Sequence, residues 1–166
     1  MKYVELDARI GELTGVLSAR RYLGALPRLA AELPPGAAAF ATDPGHYDFT
    51  GQRCVKDLTL SRFDLGHGDT GTGTGTGTLE LGFRHNCWKH EEDLVIRYRA
   101  VTDIRLDGLG EPSSWEDLGP LVLDEILPHG QGCTHELAFR PGRLTVTAAD
   151  LTAEWIASDC PDARRG

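Results

Sequence analysis

The chain has 166 residues, of which 40% are apolar and 7% aromatic, and carries a net charge of −8 from 17 Lys and Arg against 25 Asp and Glu. That is enough chain and apolar material for one domain with its own core, while the acidic balance excludes a duplex-coating protein, so nucleic acid is not an expected partner. No run approaches the roughly 20 apolar residues of a membrane span, and the opening Met1-Lys2-Tyr3-Val4-Glu5 lacks a signal-peptide core, so no membrane partner and a cytoplasmic protein are expected.

Residues 3–10 alternate, with Val4, Leu6, Ala8 and Ile10 against Tyr3, Glu5, Asp7 and Arg9, which predicts a first strand. Leu6, Ile10, Leu13 and Leu17 also fit helical spacing, but Gly11 and Gly15 weaken that alternative. Tyr22, Leu26, Leu29 and Leu33 form a one-sided stripe that predicts the one substantial helix, over 18–33. Ser18 is its N-cap, Pro27 kinks it or starts its second half, and Pro34-Pro35-Gly36 ends it. Residues 37–52 read as a turn-rich connector holding His46-Tyr47-Asp48.

From residue 54 to 156 the chain is β-rich. A strand over 55–65 slips in its alternation between Leu60 and Phe63, as a β-bulge would make it. Residues 66–78, which contain the repeat Thr70-Gly71-Thr72-Gly73-Thr74, read as a flexible hairpin loop. The G-x-G-x-x-G that begins at Gly66 is not followed by a helix and so is not taken as a dinucleotide fingerprint. Leu79, Leu81, Phe83 and His85 share one face of the next strand. The longest alternation sets Leu94, Ile96, Tyr98, Ala100, Thr102, Ile104 and Leu106 against Arg97, Arg99, Asp103 and Arg105, with Val101 the exception on the wet face. Short strands follow at 121–127, 133–140 and 143–148, with 151–156 continuing the last, and Pro141-Gly142 supplies a tight turn. The expected fold is α+β and mainly antiparallel β: a sheet or two-layer β-sandwich with one helix packed on it, a single domain over 1–158 with a loose tail over 159–166.

The sequence carries no G-x-S-x-G, Walker A, H-E-x-x-H or C-x-x-C, so no catalytic residue is assigned and a binding protein is favoured over an enzyme. With no secretory signal, the four cysteines are expected as free thiols or metal ligands before disulfides, Cys160 being the weakest candidate for either. His85-Asn86-Cys87 and Cys133-Thr134-His135 form a mirrored pair. Residues two apart in a strand project together, so if these strands were neighbours, His85, Cys87, Cys133 and His135 would offer a zinc-type ligand set, with His90 close by, for a small metal-binding protein or metal-dependent enzyme. Core and edge packing is the competing explanation for the same residues. No cofactor is otherwise expected. Trp88 with Glu91, Glu92 and Asp93, and Trp115 with Glu116 and Asp117, would form an acidic patch with aromatic anchors if they lay together, suited to a basic partner protein. Asp124-Glu125 reads as a further acidic spot, and a small ligand held between sheets is allowed by the fold class.

The succession Val55-Lys56-Asp57-Leu58, Leu79-Glu80-Leu81-Gly82-Phe83, Leu94-Val95-Ile96-Arg97-Tyr98 and Gly142-Arg143-Leu144-Thr145-Val146 resembles small β-rich bacterial immunity proteins of polymorphic toxin systems, over about residues 55–156. The resemblance lies in strand pattern and implies a non-enzymatic protein that binds and neutralises a cognate, basic toxin through an exposed, acidic surface. Residues 1–52 and the Gly-Thr loop have no counterpart in it, which leaves an unrelated actinobacterial family as the alternative.

Overall fold

A computed structural model of the chain describes residues 1–66, 77–108, 114–130 and 132–160. The predicted Gly-Thr loop falls largely outside these residues, as does the tail beyond Cys160. Strand β1 (Glu5–Ile10) matches the alternation, and β2 (Leu13–Ser18) returns antiparallel to it, where helical spacing had competed. Gly11, at φ +61°, makes the turn between them.

Helix α1 (Arg20–Ala30) buries Tyr22, Leu26 and Leu29 and contains Pro27. It is shorter than the stripe predicts, and its N-cap is Ala19, while Ser18 Oγ accepts only a long bond, 3.4 Å, from the Arg20 amide. A second helix, α2 (Pro35–Ala41), occupies the start of the predicted connector. α1 ends at Ala30, four residues before Pro34-Pro35-Gly36, which instead begins α2, because proline at the first helical position loses no bond. The cap of α2 comes from far along the chain: the Asp150 carboxylate accepts the amides of Gly36 (3.3 Å) and Ala37 (2.9 Å). A Cβ on Gly36 would lie 2.0 Å from the Leu151 carbonyl oxygen, so the approach of α2 to the sheet requires glycine there.

The main sheet comprises β3 (Thr59–Gly66), β4 (Gly77–Arg84), β5 (Glu92–Asp107), β6 (Leu123–His129), β7 (Gly132–Ala138) and β8 (Arg143–Ala157), every neighbour antiparallel. Their order is β3-β4-β5-β8-β7-β6. Two three-stranded meanders therefore lie side by side, joined along the long strands β5 and β8. Thus the fold is α+β and mainly antiparallel β, with two helices on one large sheet and a separate hairpin.

The predicted bulge in β3 is present as a register shift between Leu60 and Arg62. In β5 the alternation holds for Leu94, Ile96 and Tyr98, then slips at Ala100, whose φ is +52°, so that Val101 is the next buried residue. A second shift between Val101 and Asp103 follows, leaving Ile104 half-buried and Leu106 exposed. Both positions had been expected on the dry face. The core gathers Leu79, Leu81, Phe83, Leu94, Ile96, Leu144, Val146 and Leu151 from the sheet with Tyr22, Leu29, Ala37 and Phe40 from the helices.

Candidate functional site

Asp124 and Glu125 are not a surface spot, since both are buried. The Glu125 carboxylate accepts the consecutive amides of Lys2, Tyr3 and Val4, fixing the first residues to the edge strand β6. Asp124 points the other way, into the core. Its carboxylate meets Nε2 of His46 at 2.8 Å and Nε2 of His135 at 2.8 Å, and the Nδ1 of His135 meets the hydroxyl of Tyr98, across β8, at 2.7 Å. Because His135 donates from Nε2 to the carboxylate, its Nδ1 is free to accept from Tyr98. His46 differs. Its Nδ1 lies 3.0 Å from the Phe40 carbonyl, so both of its nitrogens face acceptors and both carry a proton.

The core thus holds an imidazolium–carboxylate pair. Burial opposes the charge on His46, but the Asp124 charge and hydrogen bonds, with the Phe40 carbonyl, hold its pKa above the ordinary value. Burial would likewise raise the Asp124 pKa, yet the His46 charge and the bonds from both rings hold it far below the carboxylate range. The hydroxyls of Tyr47 and Tyr22 donate to the carbonyls of Asp124 (3.0 Å) and Ile126 (2.7 Å), covering backbone groups that an edge strand would otherwise expose. This network pins the connector, α1 and three strands together. Asp124, His46, His135, Tyr98 and Tyr22 are buried and Tyr47 is partly exposed, so the network chiefly organises the fold.

The mirrored His/Cys triplets do not meet. β5 and β8 separate β4 from β7, which at strand spacing sets them about 14 Å apart. Cys87 is joined to Cys160 in a disulfide, with Cα atoms 5.6 Å apart. That corrects the expectation of free thiols: pairing of Glu92 with Ala157 brings the end of β8 beside the loop before β5, and two cysteines distant in sequence become neighbours. Cys160 is accordingly tied down, where a loose tail had been expected. Cys133 is buried, its thiol pushed up to about 11 by desolvation, and His135 belongs to the Asp124 network. His85 is buried against Asp93, its Nδ1 2.6 Å from Oδ1. His90 bonds the Asn86 side chain and the Cys54 carbonyl. Among the described residues no group of three or more His, Cys, Asp or Glu is placed to hold a metal ion.

The two acidic aromatic groups do share one end of the sheet. Arg84 binds Glu116 at 3.2 Å, while the next residue, His85, binds Asp93. Most of the carboxylates are partnered: Glu92 by Arg53 in a two-pronged contact, Glu91 by the neutral amide of Gln52, and Asp117 by the Ser114 amide at the cap of the 3-10 turn Trp115–Leu118. The patch is therefore of mixed charge. Among the described residues, Glu91, Asp93 and Asp117 have no lysine or arginine partner. Trp115 stacks on Phe63, ring centroids 4.4 Å apart, and is only partly exposed.

Trp88 is different. It is 76% exposed, yet the residues on either side of it are held. Cys87 is fixed by the disulfide; Lys89, its side chain 4% exposed, gives its ammonium to the Lys56 carbonyl (2.8 Å) and to Asp57 (3.2 Å). Asn86 ties the loop further, donating to the Asp57 carbonyl and accepting the Lys89 amide. Asp57 sits at φ +75°, and its pKa is held down against the effect of burial by Lys56 and Lys89. Sequence reasoning had named Trp88 but not the lysine–aspartate clasp beneath it, which depends on a loop more than thirty residues upstream.

On the open face of the sheet, a groove of about 660 Å³ is lined by Thr78, Glu80, Arg97, Arg99 and Thr152 among others. Its charged groups are already paired, Arg97 with Glu80 and Glu154, Arg99 with Asp150. No family model, curated protein or solved structure matches this chain.

Proposed function

We propose that the chain is a non-catalytic binding protein that presents Trp88 to a basic partner protein, in the manner of an immunity protein that neutralises a toxin. The observation that carries this reading is the exposed indole on a loop anchored immediately before and after it. An exposed tryptophan on a mobile loop loses freedom when it binds. One already positioned loses little, and buried tryptophan is among the side chains that dominate interface energies. Glu91 and Asp117, with the overall charge of −8, favour the approach of a positively charged surface. No helix among the described residues is long and apolar enough to cross a membrane, and we place the protein in the cytoplasm.

The test is co-purification of the full chain from its own host, with wild type, Trp88→Ala and Glu91→Lys compared side by side by native mass spectrometry. The expected result is one stoichiometric basic protein that is lost with Trp88→Ala, weakened with Glu91→Lys and released by raised salt. Retention of the same protein by Trp88→Ala, or a wild-type chain that carries none, overturns the reading.

A further inference from the structure

We propose that the Cys87–Cys160 disulfide is a thiol-responsive clasp that sets how firmly Trp88 is presented. The inference rests on the reading of Trp88 as the binding anchor and adds its regulation. Three observations lead to it. The bridge ends on the residue directly before Trp88, so it fixes the backbone at the point where the indole leaves the surface. Both of its cysteines are partly exposed and lie outside the strands and helices, so the bridge is not enclosed in the core. The other two cysteines, Cys54 and Cys133, are buried with thiols pushed upward by desolvation, so neither competes for exchange with the bridge.

A protein in a reducing compartment seldom keeps a disulfide outside its core as a permanent strut; there, such bonds are usually made and broken in use. The reaction needs a dithiol reductant of the thioredoxin class, or two monothiols. A reductant thiolate attacks one sulfur of the bridge, the S–S bond breaks, and the other cysteine leaves as a thiolate that takes up a proton. The second thiol of the reductant then attacks the mixed disulfide, releasing the remaining cysteine as a thiol and leaving the reductant as its own disulfide. Two electrons and two protons reach the protein, and a disulfide oxidant reverses the change.

Opening removes the covalent tie on one side of Trp88. On the other side, Lys89 stays bound to Lys56 and Asp57, so the loop keeps its place while the indole gains freedom. The end of β8 is released at the same time, because Cys160 lies three residues beyond Ala157, the last residue of that strand.

The experiment uses the full chain labelled with 5-fluorotryptophan. Its ¹⁹F spectrum has one resonance each for Trp88, Trp115 and Trp155, and a Trp88→Phe variant assigns the first. The protein is equilibrated in glutathione buffers from oxidising to cytosolic ratios, and alkylation with mass analysis reads Cys87 and Cys160. The expected result is that both become alkylatable within that range, and that the Trp88 resonance shifts and sharpens in step while those of Trp115 and Trp155 stay. Cys160→Ser should give the opened spectrum at every ratio. A bridge that opens only in denaturant is a structural strut and overturns the proposal, as does a Trp88 resonance indifferent to reduction. Because these readouts need no partner, they fail separately from the binding reading, which falls if Trp88→Ala keeps its partner.

Discussion

Nε2 of His46 lies 2.8 Å from Oδ1 of Asp124, and the two side chains are 0% and 1% exposed. A charge pair so placed is held by its geometry and by the further bonds from His135 and Phe40, not by water. Removing one half leaves the other charged and dry. Asp124→Ala should therefore lower unfolding free energy by about 3–5 kcal/mol, measured by urea denaturation, whereas the double variant His46→Phe with Asp124→Leu should recover much of that loss. If Asp124→Ala cost under about 1 kcal/mol, the pair would not be the clamp described.

The same pair makes stability depend on pH in a defined sense. His46 has a pKa above its ordinary 6.5, so its contribution is complete below 6.5 and is lost as pH rises through the higher folded value. Asp124 has a pKa below its ordinary 3.8, so its contribution is complete above 3.8 and is lost as pH falls toward the folded value. The pair thus stabilises most between these two pH values. Urea midpoints measured from pH 4 to 9 should decline above 6.5 in the wild type, and His46→Phe should flatten that decline. An equal decline in both proteins would place its cause elsewhere.

The junction of α2 with β8 is a second point where one position decides the packing. Gly36→Ala drives a Cβ against the Leu151 carbonyl, and since that atom is backbone, the helix must move; a loss of about 1–3 kcal/mol is expected. Asp150→Ala deprives the amides of Gly36, Ala37 and Leu151 of their acceptor and should cost about 1–3 kcal/mol. As both changes act on one contact, the double variant should lose less than the sum. Full additivity in thermal or urea melts would show that the cap and the close approach are independent.

What could be read from the sequence was local. Alternation gave the β-rich body and most of its strand positions, and the slip between Leu60 and Phe63 marked a true bulge. The second helix was hidden because its cap, Asp150, lies more than a hundred residues away, and Pro34-Pro35-Gly36 reads as a stop when only its neighbours are considered. Asp124 reads as a surface acid for the same reason: His46 and His135, with Tyr98 behind the latter, come together around it only once β6, β7, β8 and β5 are in order. That order also parts the His/Cys triplets and brings Cys87 to Cys160. Strand pairing, which sequence periodicity does not encode, therefore brings together most of the contacts that the sequence hides.

Trp88 and Trp115 lie at the same end of the sheet but should respond to substitution in opposite ways. Trp88 is largely in solvent, so Trp88→Ala should leave stability within about 0.5 kcal/mol of wild type. Its cost should appear in partner binding instead, as a loss of about 2 kcal/mol or more, near thirty-fold in Kd, by titration calorimetry with the co-purified protein. Trp115 stacks on Phe63 and packs against the core, so Trp115→Ala should lower stability by about 1–3 kcal/mol. Its effect on binding should be smaller than that of Trp88→Ala at a temperature where both variants are folded. The reverse pattern, with Trp88 stabilising the fold and Trp115 governing affinity, would move the recognition surface from the disulfide-bound loop to the 3-10 turn.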